Sequence, residues 1–274
     1  MRIIPAILLA ASVFAVNTVS AQDGKSKKAK TEKEESDELM DMLDEGEQAA
    51  GKKKAYTTAT FKTSRIINGQ SIENTAKGVL DFKVNHRFGA IDNLNNFFGL
   101  DNANTMIGFD YGITDWLMVG FSRSTYEKEY QGFVKAKILR QTENGDMPLS
   151  LSYYGNTSVQ SMPAPTLPAG QEYYFSNRMF YVNQLLLARK FNQWLSVQLM
   201  PTHVHYNLVP TTGEPNDIFA LGVGGRVKVS NRVSLNAEYY YRFTELNGYS
   251  NSLSIGCDIE TGGHVFQLML TNAT

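Results

Sequence analysis

Apolar and polar side chains alternate along most of this chain, and that period of two constrains the fold more than any other feature. In one stretch, Leu80, Phe82 and Val84 alternate with Asp81 and Lys83. Successive side chains of a β-strand point to opposite faces, whereas a helix would mix the two sets on its surface. The sequence therefore predicts strands that have one apolar face and one polar face.

The same alternation recurs along the chain and predicts about twelve strands. These are 57–67, 79–88, 104–113, 116–125, 132–139, 149–158, 179–190, 194–208, 218–229, 233–243, 252–260 and 264–271. The connections between them alternate between tight turns and longer loops. This order predicts an all-β fold in which each strand runs antiparallel to the next.

Alternation by itself fits both a soluble sandwich and a membrane barrel, because the apolar face can contact either a protein core or lipid. Three features favour the barrel. The strands are long enough to cross a bilayer at a tilt. Aromatic residues such as Trp116 and Trp194 lie near strand ends, as in the girdles of membrane barrels. With the export signal described next, they predict a transmembrane antiparallel up-and-down β-barrel.

The N-terminus has the layout of a cleavable secretory signal. Arg2 precedes an apolar run over residues 3–16, and small residues end the segment at Ala21. We therefore expect residues 1–21 to be a signal peptide. The chain has a single cysteine, Cys257, so an exported protein of this sequence must be stable without an internal disulfide.

The remaining chain divides into a charged tail, residues 22–55, and the predicted barrel, residues 56–274. The tail carries many charges of both signs and cannot bury a core by itself. A small apolar face within it predicts a partial helix over residues 31–49. We expect the barrel in the outer membrane of a Gram-negative cell and the tail in the periplasm.

The charge balance argues against a nucleic acid as a partner, and the length of the apolar runs excludes a helical membrane protein. The chain has 26 Lys plus Arg and 27 Asp plus Glu, without the basic excess that is typical of nucleic-acid binders. After the signal, no apolar run is long enough for a spanning helix. The expected partners are outer-membrane lipid and the barrel assembly machinery, with a periplasmic protein as a candidate partner of the tail.

The number of predicted strands has a consequence for the C-terminus. If the turn at 262–263 is periplasmic, the strand 264–271 ends at the external rim, whereas the termini of such barrels are expected in the periplasm. The ending 270–274 also lacks a terminal aromatic residue. We therefore expect either that a final strand is missing from this sequence or that one strand is misassigned.

The polar faces of the predicted strands supply charged residues of both signs as candidates to line the lumen. These are Asp81, Lys83, Arg87, Asp110, Lys135, Lys137, Arg226, Lys228, Glu238, Arg242, Asp258 and Glu260. Two mechanisms remain open. An open lumen would be a passive channel for small polar solutes, and this is the leading hypothesis. Paired charges would instead close the interior of a structural or docking barrel.

Other chemistry has weak support in the sequence. His203 and His205 are two residues apart on one strand and share a face, but two ligands without a third are weak evidence for a metal. We expect no metal and no cofactor. Most serines fall on the polar faces, away from a lipid-facing histidine, so an enzyme is not expected and a lipid-modifying activity is a distant alternative.

Several segments resemble a known family. They are TFKTSRIINGQSIE (60–73), KGVLDFKVNHRFG (77–89), FFGLD (97–101), YGITDWLMVGFSRSTYEKEYQGFVKAKILRQ (111–141) and MPTHVHYNLV (200–209). In this order they are similar to the Bacteroidetes-type outer-membrane β-barrel family known only as a membrane-bound domain of unknown function. The resemblance covers nearly all of 56–274. It implies a barrel in the outer membrane and one further C-terminal strand, and it does not point to any particular activity.

Overall fold

The alternating segments form a single antiparallel sheet. The structure is a computed structural model that describes residues 55–89, 99, 103–165, 172–209, 211, 213–246 and 248–273. Its strands are β1 (Leu80–Arg87), β2 (Asn104–Gly112), β3 (Leu117–Ser124), β4 (Glu129–Leu139), β5 (Ser150–Gln160), β6 (Met179–Lys190), β7 (Leu195–Tyr206), β8 (Asp217–Lys228), β9 (Val233–Arg242), β10 (Ser252–Thr261) and β11 (His264–Thr271). Each pairs with the next in chain order, which confirms the predicted all-β up-and-down fold.

Helices contribute little to the described residues. Two short 3-10 helices cover Tyr126–Lys128 and Phe175–Arg178, in connections between strands. Neither is long or apolar enough to cross a membrane. The predicted signal peptide, the tail up to residue 54 and its helix over 31–49 lie outside the described residues.

The period of two gives the sheet two different faces. On β1, Leu80, Phe82 and Val84 are exposed, whereas Asp81 and Lys83 between them are partly buried. Burial alternates in the same way along β9. Exposed apolar and buried polar residues are the reverse of a soluble protein's arrangement and are typical of membrane barrels. We call the apolar side the outer face and the polar side the inner face.

The two ends of the sheet differ in their connections. The turn end carries connections 113–116, 140–149, 191–194, 229–232 and 262–263. The loop end carries connections 88–103, 125–128, 161–178, 207–216 and 243–251. The expected alternation of short and long connections holds except at 125–128, which is short, and at 140–149, which is long. The chain enters β1 at the turn end and leaves β11 at the loop end.

Residues 57–67 do not form the strand that the sequence predicts, and this prediction is wrong. They belong to an inner segment, residues 56–77, that lies against the inner face of the sheet. Tyr56 forms a β-bridge with Thr142 in a turn-end connection. At its other end the segment forms a bridge between Lys77 and the last residue of β2. Both ends of the inner segment therefore lie at the turn end.

The inner segment is folded back on itself. The N–H of Ile66 donates to the carbonyl of Gly69 at 2.9 Å, and the N–H of Ser71 donates to the carbonyl of Ser64 at 3.0 Å. Apolar side chains from the segment and from the inner face form a common core: Phe61, Ile66, Ile67, Ile72, Met118, Phe133, Tyr154, Leu186, Ala188 and Met200. The consecutive residues Ile66 and Ile67 are both buried in this core, which a strand of the sheet would not allow because successive side chains of a strand point to opposite faces.

The sheet curls around the inner segment. The Asn68 side-chain amide donates to Ser254 at 2.8 Å and to Thr271, on the edge strand β11, at 3.2 Å. The same side chain accepts a hydrogen bond of 2.7 Å from Arg87, on the other edge strand β1. In the described residues β1 and β11 do not pair with each other, so the sheet is not closed by backbone hydrogen bonds. Asn68 instead connects its two edges.

Candidate functional site

A lysine of β4 holds the inner segment. Lys135 is completely buried. Its ammonium group donates to the carbonyl oxygens of Ser64 at 3.1 Å and Ser71 at 3.0 Å. It also donates to the Glu73 carbonyl at 2.6 Å and to the Gln70 side-chain oxygen at 3.2 Å. A buried ammonium requires such acceptors because desolvation of an unpartnered charge is very unfavourable. Lys135 therefore fixes both arms of the folded segment.

A carboxylate of β9 binds the reversal of the inner segment. Glu238 is 2% exposed and accepts hydrogen bonds from the N–H groups of Ile67 at 3.3 Å and Asn68 at 2.8 Å. It also accepts one from the N–H of Gly69 at 3.1 Å. Successive N–H groups that point to one side form a site for an anionic oxygen. A Cβ at position 69 would lie 2.2 Å from the Tyr240 hydroxyl oxygen, so this approach favours glycine.

Side chains of other strands bind the carbonyl groups of the inner segment. Most of the segment has no strand beside it, so its peptide groups need other partners. Arg226 of β8 donates to the carbonyl of Ala59 at 2.8 Å, and Gln198 of β7 donates to that of Gln70 at 2.7 Å. Gln267 of β11 donates to a third carbonyl at 2.6 Å. The inner face thus satisfies the backbone of the segment as well as its side chains.

Two ion pairs also involve the inner segment. Between β1 and β2, Lys83 pairs with Asp110, and the Ser64 hydroxyl donates to the same carboxylate at 2.9 Å. At the turn end, Lys62 of the segment pairs with Glu260 of β10. The first pair is more deeply buried than the second. Charge pairing therefore extends from the middle of the interior to its turn-end rim.

The structure places all the predicted lumen residues on the inner face. Those that contact the inner segment are Lys83, Arg87, Asp110, Lys135, Arg226, Glu238 and Glu260. Their hydrogen-bonding groups meet a folded piece of the same chain. The polar face of the sheet is thus complementary to the inner segment along most of its length.

The other predicted lumen residues lie outside this contact. Asp81 is 3.4 Å from a lysine of its own strand, and Asp258 accepts a hydrogen bond of 2.7 Å from an amide of β11. Arg242 donates to a backbone carbonyl of the loop end at 2.6 Å. Lys137 and Lys228 form no side-chain hydrogen bond or ion pair within the described residues. The structure therefore does not bring these five residues into one site.

Two cavities lie on opposite sides of the inner segment. The loop-end cavity, which we call the vestibule, has a volume of about 930 Å³. Its floor is the reversal of the inner segment, residues 65–70, and its walls are the loop-end halves of the strands. A smaller cavity of about 420 Å³ at the turn end is lined by residues from both arms of the segment. The inner segment therefore separates the two spaces.

The two candidate histidines lie on the outer face, away from the inner segment. His203 and His205 each place a ring nitrogen 2.8 Å from the same oxygen of Asp217. The His203 ring also stacks on Phe219, with centroids 4.8 Å apart. In the part of the chain that the structure describes, no group of three or more His, Cys, Asp or Glu side chains is arranged to hold a metal. The geometry is that of a hydrogen-bonded aromatic cluster near the loop end.

Sequence reasoning missed the inner segment and the residues that bind its backbone. The sequence does not single out neutral amides such as Gln198 and Gln267, because an uncharged side chain on a polar face gives no sign of a specific partner. A usable signal for the reversal exists at Asn68 and Gly69, since an Asn-Gly pair between apolar residues favours a tight turn. That signal predicts that the chain turns back directly after residue 67.

The fold and the interior agree with what the chain resembles. A family model described as Membrane bound beta barrel domain (DUF5777) matches residues 61–274. The chain belongs to this family. The resemblance in the sequence to a membrane β-barrel family of unknown function is thereby confirmed. No curated protein matches the chain.

The match shows what the membrane-bound β-barrel domain contains. It begins at Phe61 and therefore includes most of the buried part of the inner segment as well as all strands of the described sheet. The segment is thus part of the domain and not an addition to it. Because the chain belongs to a family of membrane barrels, the exposed apolar residues of its outer face contact lipid.

Proposed function

We propose that this chain is an outer-membrane barrel closed by its own inner segment, and that it works as a non-conducting structural or docking barrel in preference to an open passive channel. The observation that carries the proposal is the burial of Lys135 among four acceptors of the segment. In an open channel this ammonium would be hydrated. Here the segment provides the acceptors that water would otherwise provide.

The energetics of the buried charges support a stably closed interior. Lys135, Arg226 and Glu238 each bind backbone groups of the inner segment. Removing the partner of a buried charge typically costs about 3–5 kcal/mol. If the segment left the interior, all three charges would lose their partners together. Water that replaced the segment would hydrate these charges and offset part of the free-energy cost. The closed arrangement is therefore the favoured state.

Two features support the outer membrane as the location and the periplasm as the side of the tail. The signal layout of residues 1–21 favours export, and the outer face is apolar. In bacterial barrels the short turns face the periplasm and the longer loops face outward. The inner segment begins at the turn end, with Tyr56, so the preceding tail would start on the periplasmic side.

Single-channel recording tests whether the barrel conducts. Purified full-length protein in a planar bilayer should give no step currents. A variant that lacks residues 56–77 should give them, provided that protease resistance shows it to be inserted and folded. A matched variant that lacks residues 22–54 should insert and remain silent. Steady currents from the full-length protein would overturn the proposal and restore the passive channel.

A docking role depends on the tail. Deletion of residues 22–54 should then abolish co-purification of a periplasmic protein while membrane insertion stays intact. Co-purification that survives the deletion would leave the barrel without a docking function in its tail.

A second candidate function is a channel that opens when the inner segment moves. The specific observation in its favour is the pair of cavities on either side of the segment, which would join if the segment left. In the same recordings this channel would show rare openings of the full-length protein. Substitution Lys135→Met would raise their frequency, whereas complete silence of both proteins would exclude it.

A further inference from the structure

Two arginines converge in the vestibule. Arg65, from the reversal of the inner segment, and Arg87, from the end of β1, both line this cavity. Arg87 donates to the side-chain oxygen of Asn68 at 2.7 Å, and the Arg65 guanidinium lies 3.5 Å from the Asn68 carbonyl oxygen. The two cations therefore meet at one residue. Like charges in a partly desolvated space repel each other, so a bound anion would stabilise both.

Neither guanidinium is in direct contact with a carboxylate of the residues that the structure describes. No carboxylate forms an ion pair with Arg65 or Arg87 there, and the Arg65 Nε is buried without a hydrogen-bond partner. Two acids lie in the surroundings and offset part of the positive charge, but the hydrogen bonds of both go to other groups. Glu238 binds the backbone of the reversal from below, and Glu129 in the wall accepts a hydrogen bond of 2.6 Å from Gln131. The Nη groups that do not bind Asn68 are thus left for an added ligand.

The walls of the vestibule favour a polar organic molecule over a bare ion. Tyr154 and Tyr240 provide aromatic surface, and Asn156 and Gln184 provide side-chain amides that can donate and accept. The volume of about 930 Å³ lies within the range of small-molecule sites. Aromatic faces with nearby amides suit a ring that carries several hydroxyl groups.

We propose that the vestibule binds a small hydroxylated organic anion, such as a sugar acid or a sugar phosphate, with its anionic group between Arg65 and Arg87. Guanidinium groups bind carboxylate and phosphate oxygens through paired N–H donors, which gives both strength and orientation. The amides and the tyrosines contact the hydroxylated part. This inference goes beyond the proposed function, because binding at the floor of the vestibule requires the reversal to be in place but does not require the barrel to exclude ions.

Equilibrium binding tests the proposal with the full-length protein in detergent. Glucuronate, glucose 6-phosphate, glucose and inorganic phosphate are titrated separately by calorimetry. At least one of the two sugar anions should bind at least ten-fold more tightly than both glucose and inorganic phosphate. The anion that binds distinguishes a carboxylate from a phosphate ester.

Substitutions then locate the site. Arg87→Gln should weaken the bound sugar anion at least ten-fold, which corresponds to about 1.4 kcal/mol. Arg87→Lys keeps the charge and should weaken it less. The matched control is Arg123→Gln, near the same end of the sheet but stacked on Tyr130 on the outer face, and it should leave binding unchanged. Arg65→Gln should act like Arg87→Gln if the variant resists protease as the unsubstituted protein does.

Several results would overturn the inference. In the titrations, these are equal affinities for glucose and the sugar anions, a higher affinity for inorganic phosphate than for any other probe, or no binding of any probe. Among the variants, it is an equal loss of affinity with Arg87→Gln and Arg123→Gln. Failure here is separable from failure of the proposed function. Currents in a bilayer would contradict the closed barrel without affecting these titrations, and absent binding would leave the silent barrel unaffected.

Discussion

The turn-end and loop-end halves of the interior are built from the same strands and the same polar face, but they differ in what occupies them. Towards the turn end the inner segment occupies most of the space and leaves only the smaller cavity, and Lys135 and Arg226 bind its carbonyl groups. Towards the loop end the vestibule is open, and Arg65 and Arg87 have no carboxylate partner among the described residues. An inward-facing charge therefore does not by itself indicate a water-filled path.

The basic side chains of the two halves also have different roles. Buried carbonyl groups need hydrogen-bond donors, so a lysine or arginine that donates to the carbonyls of a segment holds that segment in place. A guanidinium that meets a cavity keeps donors for a ligand. Three substitutions, taken in order of decreasing effect, test whether the two halves differ in this way.

The largest effect is expected from loss of the central lysine. Lys135→Met keeps much of the side-chain volume but leaves four acceptors of the inner segment without their donor. We expect the free energy of unfolding, measured by urea titration in detergent, to fall by about 3 kcal/mol. The matched change in the vestibule, Arg87→Met, should lower it by less than about 1 kcal/mol. Equal losses would mean that the two halves do not differ.

A smaller effect is expected from overfilling the turn-end half. A Cβ at position 224 of β8 would lie 2.4 Å from the Cδ1 atom of Ile66, which is completely buried. Gly224→Val should therefore lower the free energy of unfolding by about 1–2 kcal/mol, since extra atoms in a packed core force neighbours to shift. Gly132→Val is the control, because nothing lies within 4 Å of a Cβ at that outer-face position. A tolerated valine at 224 would show that the inner segment packs loosely.

The strands that hold this interior could be predicted from the sequence to within three residues at each end. The prediction of 179–190 coincides with β6, and that of 233–243 exceeds β9 by a single residue. Alternation is a local property, and a strand with lipid on one side and a polar interior on the other has to show it. The inward parity of the charged residues follows from the same local pattern.

The inner segment could not be read in this way. Its apolar residues look strand-like over 57–67, although the consecutive Ile66 and Ile67 interrupt the alternation. Whether such a segment joins the sheet or fills the space within it depends on partners far along the chain, such as Lys135 and Glu238. A pattern within a dozen residues does not contain that information. The difference between a filled and an open half of the interior is therefore a property of the fold and not of any strand.

The smallest effect concerns the rim where the filled half meets solvent. Lys62 and Glu260 form an ion pair there, with side chains 16% and 38% exposed. Because water and salt screen a pair at such exposure, Glu260→Gln should lower the free energy of unfolding by only about 0.5 kcal/mol. This difference should be smaller still at about 0.5 M salt, where the Debye length is about 4 Å. Urea titrations at low and high salt measure both quantities. A loss above about 2 kcal/mol that salt does not change would mean that the rim excludes water as the centre does, and the boundary between the filled interior and solvent would then lie beyond Glu260.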